Sequence, residues 1–171
     1  MLSALILLRP AATAKKRPGA RLDSEEARRA RAMADFLQLY NPTALLSAPE
    51  RVCSETLGPL AGRLGVAVDA QEDLAAEVPE FPGGDSAHTA AWLAARAVRA
   101  LPDPRRTAVV CARSAVLSAL LVAVASRDGH ELTGYDFELP FEDDVRQAPG
   151  GGWVLQRDDG LLVEVKPLAA P

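Results

Sequence analysis

The chain has 171 residues, of which 49% are hydrophobic and 25% are charged. This composition predicts a single globular domain over residues 1–171 and argues against a disordered protein. The net charge of -4 gives no general reason to expect nucleic acid as a partner, and no apolar run is long enough to make a membrane an expected partner.

The charges are distributed unevenly along the chain. Residues 9–31 contain eight lysines and arginines against three acids, whereas residues 131–144 contain six acids and no lysine or arginine. A basic surface near Arg9 favours an anionic ligand.

The two cysteines, Cys53 and Cys111, lack the spacing of a metal site and are too few for a disulfide framework, so we expect neither a metal nor a cofactor. The apolar stretch at residues 2–8 has no basic region before it and is short for a signal peptide. A cytoplasmic location is therefore expected.

The first half of the chain alternates between predicted strands and helices. A short apolar run predicts a buried strand over residues 3–9 that ends at Arg9. Asp23 or Ser24 caps a first helix, which ends at Asn41-Pro42. A second strand is predicted over residues 43–47, and a third over residues 66–68. The helix between them has Pro49 in its first turn, ends at Gly65 and buries Val52, Leu57, Leu60, Ala61 and Leu64.

The second half begins with an irregular excursion over residues 69–84. Asp85 or Ser86 caps a third helix that reaches about Leu101, with Ala91, Ala94 or Ala95, and Val98 facing inward. A buried strand follows over residues 107–111, and then a helix over residues 116–125 that is apolar nearly all round. Three short strands are predicted last, over residues 135–139, 153–157 and 161–166, the latter two joined by an Asp-Asp-Gly hairpin turn at residues 158–160.

This alternation predicts a three-layer α/β/α sandwich with a mainly parallel sheet. Ligands in such folds bind beyond the carboxyl ends of the strands, which is where Arg9 lies.

Three stretches resemble motifs of the histidine phosphatase superfamily (phosphoglycerate mutase-like), particularly its short members without a large cap. Residues 7–11 read Leu-Leu-Arg-Pro-Ala, where the family has a strand followed by Arg-His-Gly/Ala. Residues 47–56 read Ser-Ala-Pro-Glu-Arg-Val-Cys-Ser-Glu-Thr, which resembles the block Ser-Ser-Pro-x-x-Arg-x-x-x-Thr. Residues 109–114 read Val-Val-Cys-Ala-Arg-Ser, where the family strand ends in Ser-His-Gly.

The resemblance implies that the catalytic positions are degenerate. Pro10 stands where the family has the histidine that attacks phosphorus, and Arg113 stands where a second histidine binds the phosphoryl group. Ala76 stands where an acid donates a proton, with Glu77 one residue beyond. Arg9 and Arg51 correspond to the two arginines that clamp the phosphate.

A covalent phosphoryl intermediate requires a nucleophile with an available lone pair, and the amide nitrogen of Pro10 has none. Anion binding requires less, because guanidinium groups at neighbouring strand ends suffice and the helix near Ser114 adds free N–H groups. We therefore expect no catalytic residue, and a pseudophosphatase that binds a phosphorylated small molecule, a phosphopeptide or an inorganic anion through Arg9, Arg51 and Arg113.

Three alternatives remain open at this stage. Arg9 and Arg51 are structural if they pair with Glu77 or another acid. The chain is an interaction or scaffold protein if a protein partner binds its surface, for example at residues 131–144. It is a phosphatase with a non-standard nucleophile if Cys111, Cys53 or His88 takes that role.

Overall fold

The computed structural model describes residues 1–13, 16–17, 19–141 and 148–171. In that part of the chain the strands are β1 (Leu2–Leu8), β2 (Ala44–Ser47), β3 (Val68–Ala70), β4 (Ala108–Cys111), β5 (Gly152–Asp158) and β6 (Leu161–Leu168). The α-helices are α1 (Ser24–Leu37), α2 (Arg51–Leu64), α3 (Ser86–Ala97) and α4 (Ser114–Asp128), with short 3-10 turns at Gln38–Tyr40, Glu72–Leu74 and Val98–Ala100.

The strands form a six-stranded sheet in the order β3-β2-β4-β1-β5-β6. The first four strands in this order run parallel to one another, and β5 and β6 join as an antiparallel pair. The helices flank the sheet as two packed pairs, α1 with α2 and α3 with α4. The predicted mainly parallel α/β sandwich is confirmed, while the single-domain assignment stays a prediction.

β1 lies in the centre of the sheet between β4 and β5, and the side chains of Leu5–Leu8 are fully buried. Each of these side chains contributes about 1.5–3 kcal/mol of burial free energy relative to an exposed position. The predicted buried strand is confirmed, with its end at Leu8 rather than at Arg9.

The start of the second helix differs from the prediction. α2 begins at Arg51, and Glu50 is its N-cap in extended conformation (φ -67°, ψ 134°). Pro49 therefore precedes the helix and does not lie in its first turn. The third strand also begins two residues later than predicted. Val66 still belongs to the end of α2, because its amide donates a hydrogen bond to the Ala61 carbonyl of that helix.

The buried face of the third helix was predicted correctly only at Ala94, which is partly buried and packs against the core. Leu93 and Ala97 are buried, whereas Ala91 and Ala95 are exposed and Val98 is 38% exposed. The helix is alanine-rich on several sides, so small apolar residues do not mark its inner face. The helix turns its one leucine towards the core instead.

Residues 135–139 do not form the predicted strand. The segment instead contacts the edge of the sheet through the side chain of Tyr135. Its hydroxyl group accepts a hydrogen bond from the Val165 amide of β6 at 3.1 Å, and it lies 2.7 Å from His130 Nε2. The Asp128 carboxylate accepts a hydrogen bond from the Leu162 amide at 2.8 Å, and Pro167 has no backbone N–H group. These features satisfy donors of the edge strand, which would otherwise be available for pairing with another chain.

The predicted hairpin between β5 and β6 is confirmed. Asp159 (φ 49°) and Gly160 (φ 87°) form its two-residue loop. Positive φ at both central positions is the geometry of a type I′ turn, which matches the twist of the flanking strands. In the described residues, no helix is both long and apolar enough to cross a membrane.

A buried carboxylate organises the loop that follows β1. Glu26 is fully buried and accepts hydrogen bonds from the Thr13 amide at 2.6 Å and the Asp23 amide at 2.9 Å, and it forms an ion pair with Lys16. Burial by itself raises the pKa of Glu26, but the bonds from Asp23, Lys16 and Thr13 outweigh it and lower the pKa to about 2. The ionised carboxylate therefore stabilises the folded state.

This stabilisation is present above the usual glutamate pKa of about 4.5 and is lost as the pH falls towards 2, since the lowered pKa belongs to the folded state. We expect Glu26→Gln to lower the free energy of unfolding by about 2–3 kcal/mol at pH 7. Urea titrations should show this difference shrinking at pH 2.5. The exposed neighbour Glu25→Gln is the control, and a difference for Glu26→Gln that stays constant with pH contradicts the argument.

Candidate functional site

The carboxyl ends of three central strands lie level with one another. Leu8 pairs with Cys111, and Cys111 pairs with Ser47. The backbone bonds continue one residue further, since the Ala112 amide donates to the Leu8 carbonyl and the Ala48 amide donates to the Cys111 carbonyl. The segments that begin at Arg9, Ala48 and Ala112 therefore leave the sheet along one edge.

The turn after β1 is held from three directions. The Ala11 amide donates to Thr56 Oγ1 of α2 at 3.0 Å, and the Ala11 carbonyl accepts from Arg29 of α1 at 2.8 Å. The Pro10 carbonyl accepts from the Gly150 amide at 3.2 Å. Pro10 is buried in this turn. Its ring nitrogen belongs to an amide and carries no proton or lone pair for chemistry.

Arg9 lies on the β5 side of this edge. Its Nε and Nη2 both donate to the Ala148 carbonyl at 3.2 Å, and its own amide donates to the Gly151 carbonyl at 2.8 Å. A Cβ atom at Gly151 would collide with Arg9 Nη2, so the glycine makes room for the guanidinium group. Arg9 also lines a cleft of about 260 Å³ together with Glu138 and Trp153.

Arg113 forms an ion pair at the start of α4. Arg113 is the N-cap residue of this helix and is only 7% exposed. Its Nε donates to Glu50 Oε2 at 2.7 Å, and its Nη2 lies 2.5 Å from the same oxygen. Glu50 is in turn the N-cap of α2, so two helices begin at this pair. Arg113 thus holds an anionic group at the predicted edge of the sheet.

Arg51 is directed elsewhere. It is exposed, and its Nε donates to Glu55 at 2.9 Å; Glu55 also accepts from Arg21 at 3.3 Å and from the Leu22 amide at 2.8 Å. Burial raises the pKa of Glu55, but these three bonds together leave it below its usual value.

A register difference explains the direction of Arg51. The family block places its arginine three residues after proline and four before threonine, whereas Arg51 follows Pro49 by two residues and precedes Thr56 by five. One residue is about 100° of helix rotation. Val52, which is 2% exposed, consequently faces inward in place of an arginine. The predicted anion-binding role of Arg51 stays a prediction, and of the three arginines its geometry supports that role least.

The excursion that contains Ala76 is held by arginines of the third helix region. Arg96 of α3 donates to the Ala75 and Glu77 carbonyls, and Arg99 pairs with Asp73 at 2.7 Å. Ala76 is half-buried and has no proton to donate to a leaving group.

The alternative nucleophiles are poorly placed for chemistry. Cys53 and Cys111 are both fully buried. Burial raises the pKa of the Cys111 thiol, and a hydrogen bond with Cys53 raises it further, so little reactive thiolate forms. His88 is exposed in the first turn of α3, where its Nδ1 contacts Asp85 at 2.9 Å. Within the described ranges, no group of three or more His, Cys, Asp and Glu side chains is arranged to hold a metal ion.

Solved structures with the same fold are phosphatases. A mycobacterial glucosyl-3-phosphoglycerate phosphatase in complex with VO3 has a TM-score of 0.61 and 20% identity, covering 99% of this chain and 100% of that one. The same enzyme with inorganic phosphate has a TM-score of 0.55 and 19% identity, covering 90% and 88%. The protein histidine phosphatase SixA with tungstate has a TM-score of 0.53 and 17% identity, covering 99% and 97%.

The chain has the histidine phosphatase fold. The resemblance seen in the sequence is confirmed at the level of the fold, over nearly the full length of the chain. No protein-family model and no curated protein matches the chain.

Three residues of this site in the phosphatase fold were missed by the sequence analysis: Thr56, Arg29 and Glu50. The sequence could have identified Thr56, since it ends the block at residues 47–56. The indication for Glu50 is weaker and comes from its residue type, because glutamate is not a preferred N-cap residue. No sequence pattern indicates Arg29, because its bond to the Ala11 carbonyl joins α1 to the turn after β1.

Substitution of Thr56 measures how much its hydrogen bond to the turn after β1 contributes to the stability of the protein. We expect Thr56→Val to lower the free energy of unfolding by about 1–3 kcal/mol, because the buried Ala11 amide then loses its acceptor. Thr56→Ser keeps the hydroxyl and is the matched control. Urea unfolding followed by circular dichroism measures both, and a Thr56→Val variant as stable as wild type would show that the bond contributes nothing.

Proposed function

We propose that the chain is a non-catalytic protein with the phosphatase fold that binds a phosphorylated small molecule or an inorganic oxyanion at the carboxyl edge of its sheet. Arg113 is the principal contact, and Arg9 contributes from the neighbouring strand end. The observation that carries this proposal is the buried Arg113 guanidinium, which is bonded to a carboxylate where two helices begin. A cytoplasmic location remains part of the proposal.

The absence of catalysis follows from the chemistry of the replaced positions. Pro10 has no nucleophilic atom, Ala76 has no acidic proton, and Arg113 stays protonated and serves neither as nucleophile nor as base. The two thiols are buried, and His88 lies in a capping interaction on α3. Losing one member of a catalytic set already costs several orders of magnitude in rate, and several members are replaced here.

Anion binding is supported by charge and by helix geometry. A buried guanidinium group forms short, charge-assisted bonds with carboxylate and with phosphate alike. The positive end of the dipole of α4 favours an anion at the same place. The structures of the same fold in complex with VO3, inorganic phosphate and tungstate support an oxyanion as the ligand class.

Calorimetric titration with inorganic phosphate at low ionic strength tests the proposal. We expect Arg113→Met to weaken binding at least about ten-fold, since a hydrogen bond to a charged group contributes about 1.5–3 kcal/mol. Arg9→Ala should weaken it less, and Arg51→Ala should change it little because Arg51 is paired with Glu55. Arg63→Ala is the control, since Arg63 pairs with Asp35 on the helices.

Two results would contradict the proposal. One is phosphate binding that is absent, or is the same for wild type and Arg113→Met. The other is turnover of phosphomonoesters by the purified wild-type protein at the rate of a working enzyme, which the Cys53→Ala, Cys111→Ala and His88→Ala variants would then trace to a residue.

A second candidate function, protein interaction, is favoured by the outer face of α3. Trp92 is 42% exposed and packs edge-on against Phe81, with 5.7 Å between the ring centroids. Ala91 and Ala95 are exposed on the same helix, and Val98 is exposed directly after it. The acidic stretch predicted for this role at residues 131–144 lies partly outside the described residues.

The simplest partner to test is a second copy of the chain. We expect light scattering to show concentration-dependent self-association that Trp92→Ser abolishes, because Trp92 is the largest apolar side chain exposed on α3. The exposed Phe36→Ser on α1 is the control. A molar mass that stays that of the monomer at all concentrations would contradict self-association through this face.

A further inference from the structure

A cavity of about 510 Å³ lies between α1 and the hairpin of β5 and β6. Most of its lining is apolar, and the side chains that form its walls come from three elements: Met33, Phe36 and Leu37 of α1, Val154 of β5 and Leu168 of β6. Cavities that bind small molecules have volumes of about 300–1,000 Å³ and are lined mostly by apolar side chains with a few polar groups. The cavity therefore has the size and the lining of a small-molecule site.

The inner wall of this cavity belongs to the hydrophobic core. Leu8, Leu37 and Val154 are nearly fully buried, so their positions are fixed by packing. Gly150 (φ 78°) closes one side of the cavity against Met33, where a Cβ atom would collide with the methionine sulfur. A site formed in this way is present before a ligand binds, which lowers the entropic cost of binding.

Lys166 places a positive charge at the rim of the cavity. It pairs with Val154 in the register of β5 and β6, and cross-strand partners lie on the same face of a sheet. Lys166 Nζ lies 3.6 Å from Glu164 Oε2, and both side chains are about half exposed. An exposed pair of this kind contributes little stability, and the ammonium group has three donors, so Lys166 is able to bind a further anionic group.

The combination of an apolar wall with one cation at its rim fits a molecule that is apolar at one end and anionic at the other. The stem of a lysine covers apolar surface while its ammonium group stays in water, so the head group of such a ligand remains hydrated. One ammonium group balances one negative charge, which favours a carboxylate over a phosphate dianion.

We propose that this cavity binds an amphipathic monocarboxylate, with its hydrocarbon chain against Phe36 and Val154 and its carboxylate at Lys166. The inference goes beyond the proposed function and does not depend on it. Leu8 lines this cavity, whereas the next residue, Arg9, lines the separate cleft with Trp153. Successive side chains of an extended chain point to opposite faces of a sheet, so the two sites lie on different faces.

Two probes of equal chain length, octanoate and octan-1-ol, separate the charge from the apolar contact. Each is titrated by calorimetry at constant ionic strength. We expect wild type to bind octanoate more tightly than octan-1-ol. Lys166→Met keeps an apolar side chain and removes the charge, so it should weaken octanoate binding about three-fold and leave octan-1-ol binding unchanged.

Phe36→Ala tests the apolar wall. It should weaken the binding of both probes by a similar factor of at least about three, because the aromatic side chain lines the cavity. Leu39→Ala is the matched apolar control, since Leu39 is highly exposed and does not line the cavity. Arg105→Met is the matched charge control, since Arg105 is exposed and pairs with Asp159 in the β5–β6 turn. Circular dichroism confirms the fold of each variant.

The proposal is overturned if wild type binds neither probe, or if it binds both equally well. Unchanged octanoate binding in Lys166→Met, or unchanged binding of both probes in Phe36→Ala, also overturns it. A loss in Leu39→Ala as large as that in Phe36→Ala indicates general adsorption to apolar surface, and a loss in Arg105→Met as large as that in Lys166→Met indicates an effect of net charge. Either result contradicts a site in this cavity.

Discussion

β1 is hydrogen-bonded along both of its edges, to β4 in parallel and to β5 in antiparallel orientation, and this constraint determines where the site lies. A central, fully buried strand must satisfy all of its backbone donors and acceptors through its neighbours, so its register with them is closely specified. The pairing of Leu8 with Cys111, and of Cys111 with Ser47, aligns three strand ends. Arg9, Glu50 and Arg113 each follow one of these ends.

The edge of the sheet combines features that suit binding with features that do not suit phosphoryl transfer. A histidine nucleophile alternates between a free lone pair and a bond to phosphorus, and neither Pro10 nor Arg113 has a nitrogen able to do so. A guanidinium group instead holds a permanent charge in a planar array of donors. A guanidinium group at position 113 therefore suits the proposed binding of an anion better than it suits the bond-breaking chemistry of an imidazole.

The ion pair between Glu50 and Arg113 lowers the cost of burying a cation at the edge of the sheet, because the carboxylate compensates part of the guanidinium charge that is removed from water. Arg51 and Glu55 form a comparable pair on the exposed side of α2, where solvent screens the charges and little is gained or lost.

Local patterns in the sequence predicted the elements that depend on their own residues. Burial, capping and positive φ each act within a few residues, and the features predicted correctly depend on them: the buried run of β1, a cap of α1 at Asp23 or Ser24, the apolar α4 and the turn at Asp159-Gly160. The inner face of α3 was predicted only at Ala94, because alanines on several sides leave the pattern without contrast. Residues 135–139 alternate like a strand, but they meet β6 through Tyr135 rather than through their backbone.

The sequence by itself determined the fold class and, apart from residues 135–139, the order of the strands and helices, because hydrophobic periodicity is a local property. Only the tertiary structure decided which charged groups meet. Glu50 and Arg113 are 63 residues apart in the chain and Arg9 reaches Ala148 across 139, so no local pattern encodes these contacts. The direction of Arg51, by contrast, was encoded in the sequence, since the arginine stands one residue earlier than in the family block and one residue turns a helical side chain by about 100°.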